Sequence, residues 1–420
     1  MKLQPVDPGP NPIRRYARYL TDEQRATIED ARDALRGARL VHLNATATGG
    51  GVAEILHSLV PLLSSLGIDA RWYVLPADDA FFGVTKQIHN WLQGAPGAPT
   101  DEQKRTYLDY LRRVAPAVRE LDADLWVIHD PQPLPLRLLA PLDGPAIWRC
   151  HIDASAPNPA VGDWLAPYIK SYDRSVFSML QYVFGDLPPD RVTVELPAID
   201  PLTPKNRHLP RAEVASVLRG LGIDPGRPLV SQVSRFDPWK NPRQAVDAYR
   251  LARREMPELE LAMVGVFAAK DDPEGPKIYE QIRAYTADDP QVHLYTDPAR
   301  VGDREVNAFQ SGSTVVLQRS LREGFGLTVT EAMWKARPVI ATPVGGITVQ
   351  IQHGVDGYLV ESTEDCAQLL VRLVRQPALA QRVGQAARQR VRERFLLPRL
   401  LTDELHIYTA LLGERAERAA

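Results

Sequence analysis

The chain has 420 residues, 44% hydrophobic and 24% charged, with a net charge of -2 and two cysteines, Cys150 and Cys366. Such a length exceeds what one core organises, so two domains of about 200 residues each are expected. The near-neutral balance disfavours nucleic acid and membrane partners, two thiols make no disulfide framework or metal cluster, and the lack of an apolar signal core or spanning run leads us to expect a cytoplasmic protein.

After a Pro-rich lead, residues 21–35 read as a helix capped by Thr21, and 39–43 as a buried strand. Gly49, Gly50 and Gly51 follow, leading into an apolar-periodic helix over 52–66. Strand, glycine turn, helix is the layout of an anion cradle: missing side chains let the anion reach the backbone, and the helix start supplies partial positive charge. The spacing matches neither GxGxxG nor GxxxxGK, so a dinucleotide or P-loop reading has little support, and a merely flexible turn is the bland alternative.

Further strands are expected at 70–75, 125–129, 146–150, 175–179 and 192–195, with helices such as 101–121 between them. Alternating elements of this kind imply a parallel sheet covered on both faces, with ligands at the strands' carboxyl ends. Two of those ends are polar: His129-Asp130-Pro-Gln132 and His151-Ile-Asp153-Ala-Ser155. His129, Asp130, His151 and Asp153 are therefore candidates for binding sugar hydroxyls or lining a reacting centre, while Asp130 and Asp153 could instead cap the next helices. Asp122-Ala-Asp124 has the look of a metal-binding DxD, but it precedes a strand and reads better as a solvated connection.

Pro-dense residues 196–207 read as a linker, after which the pattern restarts. Strands are expected at 229–233, 259–264, 292–295, 314–317, 339–341 and 358–360, and amphipathic helices at 378–394 and 399–412. After the first of these strands stands Ser234-Arg235-Phe-Asp-Pro-Trp-Lys240. Arg235 offers a planar fork and Lys240 a mobile point charge, so the pair suits a diphosphate or, more blandly, surface carboxylates. In Ser320–Lys335, SLREGFGLTVTEAMWK, Glu323 and Glu331 bracket a glycine turn at a helix start. Amides there would receive an anion, and the two carboxylates would serve different parts of one extended ligand. Thr342-Pro-Val-Gly345-Gly346 is a second turn of close backbone approach, structural or adjacent to ligand.

Taken together, Gly49-Gly50-Gly51, His151, Arg235 with Lys240, and Glu323 to Glu331 resemble the retaining glycosyltransferases of the sucrose-synthase and glycogen-synthase-like family. SRFDPWK, WRCHIDAS, EGFGLTVTEAMWK, the loop from Asp271 to Gly275 and the segment from Arg304 to Phe309 are similar, within that family, to the trehalose glycosyltransferring synthases. Asn241 departs from it, standing where many members carry glycine. The resemblance implies an α/β GT-B fold: two facing Rossmann-like doubly wound domains with a cleft between them. Residues 1–203 would be the acceptor-side domain, 204–397 the donor domain, and 398–420 a helix returning to the first. It also implies Glu323, Arg235, Lys240 and His151 at the reacting centre, with Gly50, Gly51, Gly324, Phe325, Gly326, Leu327 and Glu331 on a nucleoside diphosphate glucose, UDP- or ADP-linked. Asp130, Gln132 and Asp153 would bind the acceptor sugar. No tightly bound cofactor and no divalent metal is called for, and a homodimer is compatible with this reading. The implied activity is reversible trehalose formation from nucleotide glucose and glucose, with trehalose phosphorolysis or another sugar transfer, of sucrose or glucan type, as the alternative.

Overall fold

The computed structural model describes residues 1–265 and 275–419; Asp271 to Glu274 of the acidic loop lie outside them. Two compact units divide the described residues. One takes Met1–Ala198 and the chain from Leu397 on, and the other runs from Ile199 to Leu396.

The first unit holds β1 (Gln4–Val6), β2 (Arg39–Asn44), β3 (Asp69–Val74), β4 (Leu125–His129), β5 (Ala146–Cys150), β6 (Arg174–Phe177) and β7 (Val192–Val194). Their order across the sheet is β1-β3-β2-β4-β5-β6-β7. Every pairing is parallel except β1 with β3. Each residue of β4 and β5 is buried, as expected of a parallel sheet with helices on both faces. The antiparallel edge strand β1 was not legible in the Pro-rich lead. It is three residues long, and Pro5 is tolerated because an edge strand leaves one side of its backbone unpaired. Thr21 caps the helix Asp22–Ala34 in a reciprocal box with Gln24, satisfying two otherwise orphaned backbone donors.

The final helix, Leu397–Ala419, belongs to this first unit. Leu400, Leu401, Leu405 and Tyr408 bury its apolar face. Arg149, on β5, is ion-paired to Glu404 of that helix and to Glu195 beyond β7, all three nearly inaccessible. Both cysteines are buried free thiols, raised in pKa by burial, to about 11 for Cys366.

The second unit holds β8 (Leu229–Val233), β9 (Glu260–Val264), β10 (Val292–Tyr295), β11 (Val315–Gln318), β12 (Val339–Ala341) and β13 (Tyr358–Leu359). It is an all-parallel sheet in the order β10-β9-β8-β11-β12-β13. Successive residues of β8 feed different cores: Val230 packs with Leu261, Val315 and Ile340, whereas Leu229 and Val233 pack with Ala262, Val264 and Phe309. Both faces are therefore covered. No described helix is long and apolar enough to cross a membrane.

Candidate active site

In an open parallel sheet, the strand pair at which connection direction reverses leaves a crevice at its carboxyl end. The second unit reverses between β8 and β11. The loop leaving β8 carries Arg235 and Lys240, and the loop leaving β11 carries Glu323. Lys240 Nζ donates to both carboxylate oxygens of Glu323 at 2.7 Å. Glu323 is 7% exposed and also accepts from Ser320 Oγ at 3.1 Å and Gln318 Nε2 at 3.5 Å.

Local chemistry sets this geometry. Asp237 accepts from the Trp239 amide at 2.8 Å and starts a single turn, Pro238–Lys240. Asn241 then adopts φ 45°, ψ 56° before the helix Pro242–Arg253 begins. That left-handed conformation suits glycine, and asparagine is among the few side chains that tolerate it. The amide of Leu321 donates to Trp239 O at 2.7 Å and ties the two loops together. Arg235 is partly exposed, with Nη2 3.7 Å from Asp237 Oδ2.

Glu323 leads into Gly324, Phe325 and Gly326, and the helix Leu327–Trp334 follows. Gly326 has φ 84°, and a Cβ there would lie 3.0 Å from Glu323 Cγ. The turn rests on Gly346, where a Cβ would press within 2.6 Å of Phe325 Cα and 2.7 Å of Gly324 O. Gln350 holds it from below, donating to Phe325 O while accepting from Thr330 Oγ1. No side chain caps the helix start, so its first amides are left for other acceptors. Glu331, in the second turn, is inaccessible and binds Lys205 Nζ at 3.0 Å and Gln310 Nε2 at 3.0 Å. Lys205 lies in the segment read as a linker and carried no signal in the sequence.

The first unit reverses between β2 and β4. From β2 the chain turns through Gly49, at φ 86°, and exposed Gly50, the uncapped start of the helix Gly51–Ser64. A Cβ on Gly50 would meet nothing within 4 Å, so the turn is open toward solvent. After β4, Asp130 takes φ 62° and its Oδ1 accepts from the His151 amide at 2.8 Å. Asp153 is buried, and its Oδ1 accepts from both the amide and hydroxyl of Ser155. Both carboxylates therefore organise local backbone. Gln132 is half-buried, and its Oε1 has no hydrogen bond among the described residues.

His151 is half-buried, and its Nε2 lies 3.1 Å from Nδ1 of His129. His129 Nε2 in turn lies 3.2 Å from Nδ1 of His42 on β2. Burial, with Arg149 nearby, holds all three imidazoles below the usual range, His42 at about 3. A histidine within the apolar run of β2 was the only hint of His42 in the sequence. Asp122 and Asp124 are clamped by Arg39, which grips Asp124 at 3.0 and 2.7 Å and holds its pKa down to about 2. Among the described residues no group of three His, Cys, Asp or Glu side chains is arranged to hold a metal ion.

Residues 42–184 match the family described as trehalose synthase, N-terminal domain, and residues 217–390 match glycosyl transferases group 1. A trehalose synthase of Rubrobacter xylanophilus is 43% identical over 98% of this chain and 100% of its own length. A trehalose phosphorylase of Pleurotus sajor-caju is 30% identical over 76% of this chain, which spans 50% of that protein. Among solved structures, a sucrose-phosphate synthase from Thermosynechococcus elongatus superposes with TM-score 0.69 at 15% identity, covering 90% of this chain and all of that one. Anabaena HepE, solved with UDP-glucose, superposes with TM-score 0.62 at 14% identity, covering 89% and 99%. Two doubly wound parallel-sheet domains are the components of the GT-B fold these neighbours share. With a full-length relative at this identity, and with both halves matching glycosyltransferase families, the chain belongs to the trehalose synthase family of glycosyltransferases.

Proposed function

We propose that this enzyme is a retaining glucosyltransferase that forms trehalose, reversibly, from a nucleoside diphosphate glucose and free glucose. The full-length match to a trehalose synthase carries this reading. The HepE neighbour solved with UDP-glucose supports a nucleotide sugar as donor. UDP- and ADP-glucose both suit the residues, and the acceptor is a free hexose.

The chemistry follows from charge. Breaking the bond between the anomeric carbon and the diphosphate leaves negative charge on the diphosphate and positive charge on the sugar ring. Preorganised cations and amides around the leaving oxygen are therefore the main catalytic need. Arg235 and Lys240 fill it, with amides of Phe325, Gly326 and Leu327 at the uncapped helix start. An ammonium has three donors, and Lys240 commits two to Glu323, leaving the third for a phosphate oxygen. These two cations supply the neutralisation, so a divalent metal is not required. Gly50 and Gly51 offer a second anion-binding turn. Glu323 takes hydroxyls of the transferred glucose, and its negative charge beside the anomeric centre favours a positive ring. Gly324 lets the sugar approach the turn closely. We assign Glu331 to the ribose hydroxyls, His151 to the transferred glucose and Gln132 to the acceptor, with Asp130 and Asp153 ordering the backbone of the acceptor-side loops through His151 and Ser155. In a front-face transfer the departing phosphate oxygen takes the acceptor's proton as the new glycosidic bond forms, so no separate general base is used.

The test is to incubate the enzyme with a panel of nucleotide glucoses and glucose, with and without a chelator, and identify the product by NMR. An α,α-1,1-linked disaccharide made with or without chelator is expected. Another linkage overturns the trehalose assignment. Turnover that requires inorganic phosphate and trehalose, with no use of nucleotide glucose, would favour phosphorolysis instead.

A further inference from the structure

His42, His129 and His151 stand on or just beyond β2, β4 and β5 and form one row of imidazoles. Ring centroids are 5.5 Å apart from His42 to His129 and 5.4 Å from His129 to His151, with both pairs nearly parallel. The N···N contacts of 3.2 and 3.1 Å use both nitrogens of His129. A neutral imidazole carries one N–H and one lone pair, so His129 must donate to one neighbour and accept from the other. The three rings are therefore locked into one of two proton directions. In the first, His42 and His129 each donate from Nδ1, and His151 keeps its own proton on Nδ1. In the second, every proton moves to Nε2, and Nδ1 of His151 is bare.

The far end of the row decides between them. His42 Nε2 is buried and has no hydrogen bond among the described residues. A buried N–H without an acceptor is rarer than an under-used lone pair, so the first direction is favoured. The surroundings also disfavour a second proton on any ring. Arg149 of β5 acts on all three, its own charge being shared with Glu195 and Glu404, and Tyr408 of the last helix meets His42 edge-on. At His151 the neighbouring carboxylate, Asp130, is engaged with the His151 backbone amide.

We propose that His42 and His129 are positioning residues that hold His151 as a neutral imidazole with its proton on Nδ1, presenting a hydrogen-bond donor to the transferred sugar. The proposal rests on the role given above to His151. It also gives that role a reason: a neutral donor can bind a sugar hydroxyl without placing positive charge beside a ring that becomes positive in the transition state.

Ring-15N-labelled histidine in the full-length protein, read by 1H–15N correlation NMR at pH 7, tests this directly, because protonated and bare ring nitrogens resonate far apart. His151 is assigned by loss of its signals in His151→Gln. Expected is a protonated Nδ1 and bare Nε2 on His151 and on both partners. A His151 protonated on Nε2, or on both nitrogens, overturns the proposal. His42→Leu removes the first donor and should let His151 exchange between tautomers, lowering kcat about tenfold with KM little changed, a loss of about 1.4 kcal/mol in the transition state. His42→Asn returns an amide donor to the position of Nδ1 and should restore the wild-type nitrogen pattern. An unaltered His151 pattern in folded His42→Leu also overturns the proposal, and if that variant does not fold, the wild-type spectrum still decides. The spectra need no substrate, so an error in the trehalose reading would show as a missing product with the tautomer result intact.

Discussion

Replacing Lys240 by methionine keeps the unbranched stem, one atom shorter, and removes the charge. On the reading above, the enzyme loses a cation aimed at the leaving diphosphate, an interaction that strengthens as the bond breaks. We expect kcat to fall at least a hundredfold, with kcat/KM falling in step, corresponding to about 2.7 kcal/mol or more of transition-state stabilisation. Stability responds separately. Glu323, 7% exposed, would lose its ammonium partner while Ser320 Oγ at 3.1 Å and Gln318 Nε2 at 3.5 Å remain among its donors. Lys240 is itself partly solvated, so the cost is about 1–3 kcal/mol, lowering the melting temperature of a domain of this size by roughly 2–12 °C. Adding Glu323→Gln removes the stranded charge, so Lys240→Met/Glu323→Gln should regain part of that stability while staying below about 1% of wild-type turnover. The assays are initial rates of disaccharide formation and scanning calorimetry on the same preparations. Turnover within about tenfold of wild type in folded Lys240→Met would refute the leaving-group role. A double variant no more stable than the single would refute the stranded-charge account.

Gly346→Ala should push the Gly324–Phe325 turn, since its Cβ would lie 2.6 Å from Phe325 Cα and 2.7 Å from Gly324 O; kcat is expected to drop about tenfold or more, and unchanged kinetics would mean the turn position is immaterial. Lys205→Met leaves the inaccessible Glu331 carboxylate with Gln310, and an unfolding free energy lower by about 1–3 kcal/mol in urea titration is expected, whereas Glu331→Gln should raise KM for the nucleotide sugar more than it lowers kcat. Acid should destabilise the first domain. His42, His129 and His151 have lowered folded pKa values, so the unfolded chain binds more protons: their stabilisation is full above about pH 6.5 and is lost as pH falls, at about 1.4 kcal/mol per unit for each ring. Glu195, which burial pushes upward, takes up a proton on acidification and offsets part of this. Urea midpoints equal at pH 7.5 and 5.5 would count against a buried neutral row.

Much of the fold was legible because its cues are local. The strands β4, β5, β8 and β10 coincide with apolar runs bounded by turn residues. Glu323 and Glu331 fall on a glycine turn and in the second turn of the following helix, as their spacing implies. The edge strand β1 escaped because three residues with a proline in the middle carry no period. Lys205 escaped because a lysine among prolines and polar residues looks like solvated linker. The DxD pair was read as a connection, but its partner Arg39 was invisible from a separation of 85 residues.

The row of imidazoles marks the same division. His129 and His151 drew notice as polar strand ends, yet neither spacing nor composition relates them to His42, which is 87 residues from His129. Sequence by itself determined the alternation of strands and helices, the backbone turns at Gly49–Gly51 and Gly324–Gly326, and the residue types available for an anion and a sugar, since propensity and turn chemistry act over a few neighbouring residues. Only tertiary structure decided which charges meet. Lys240 reaches Glu323 because β8 lies beside β11, and His42 reaches His129 because β2 lies beside β4. Strand order depends on how whole faces are buried, which no short stretch of chain encodes.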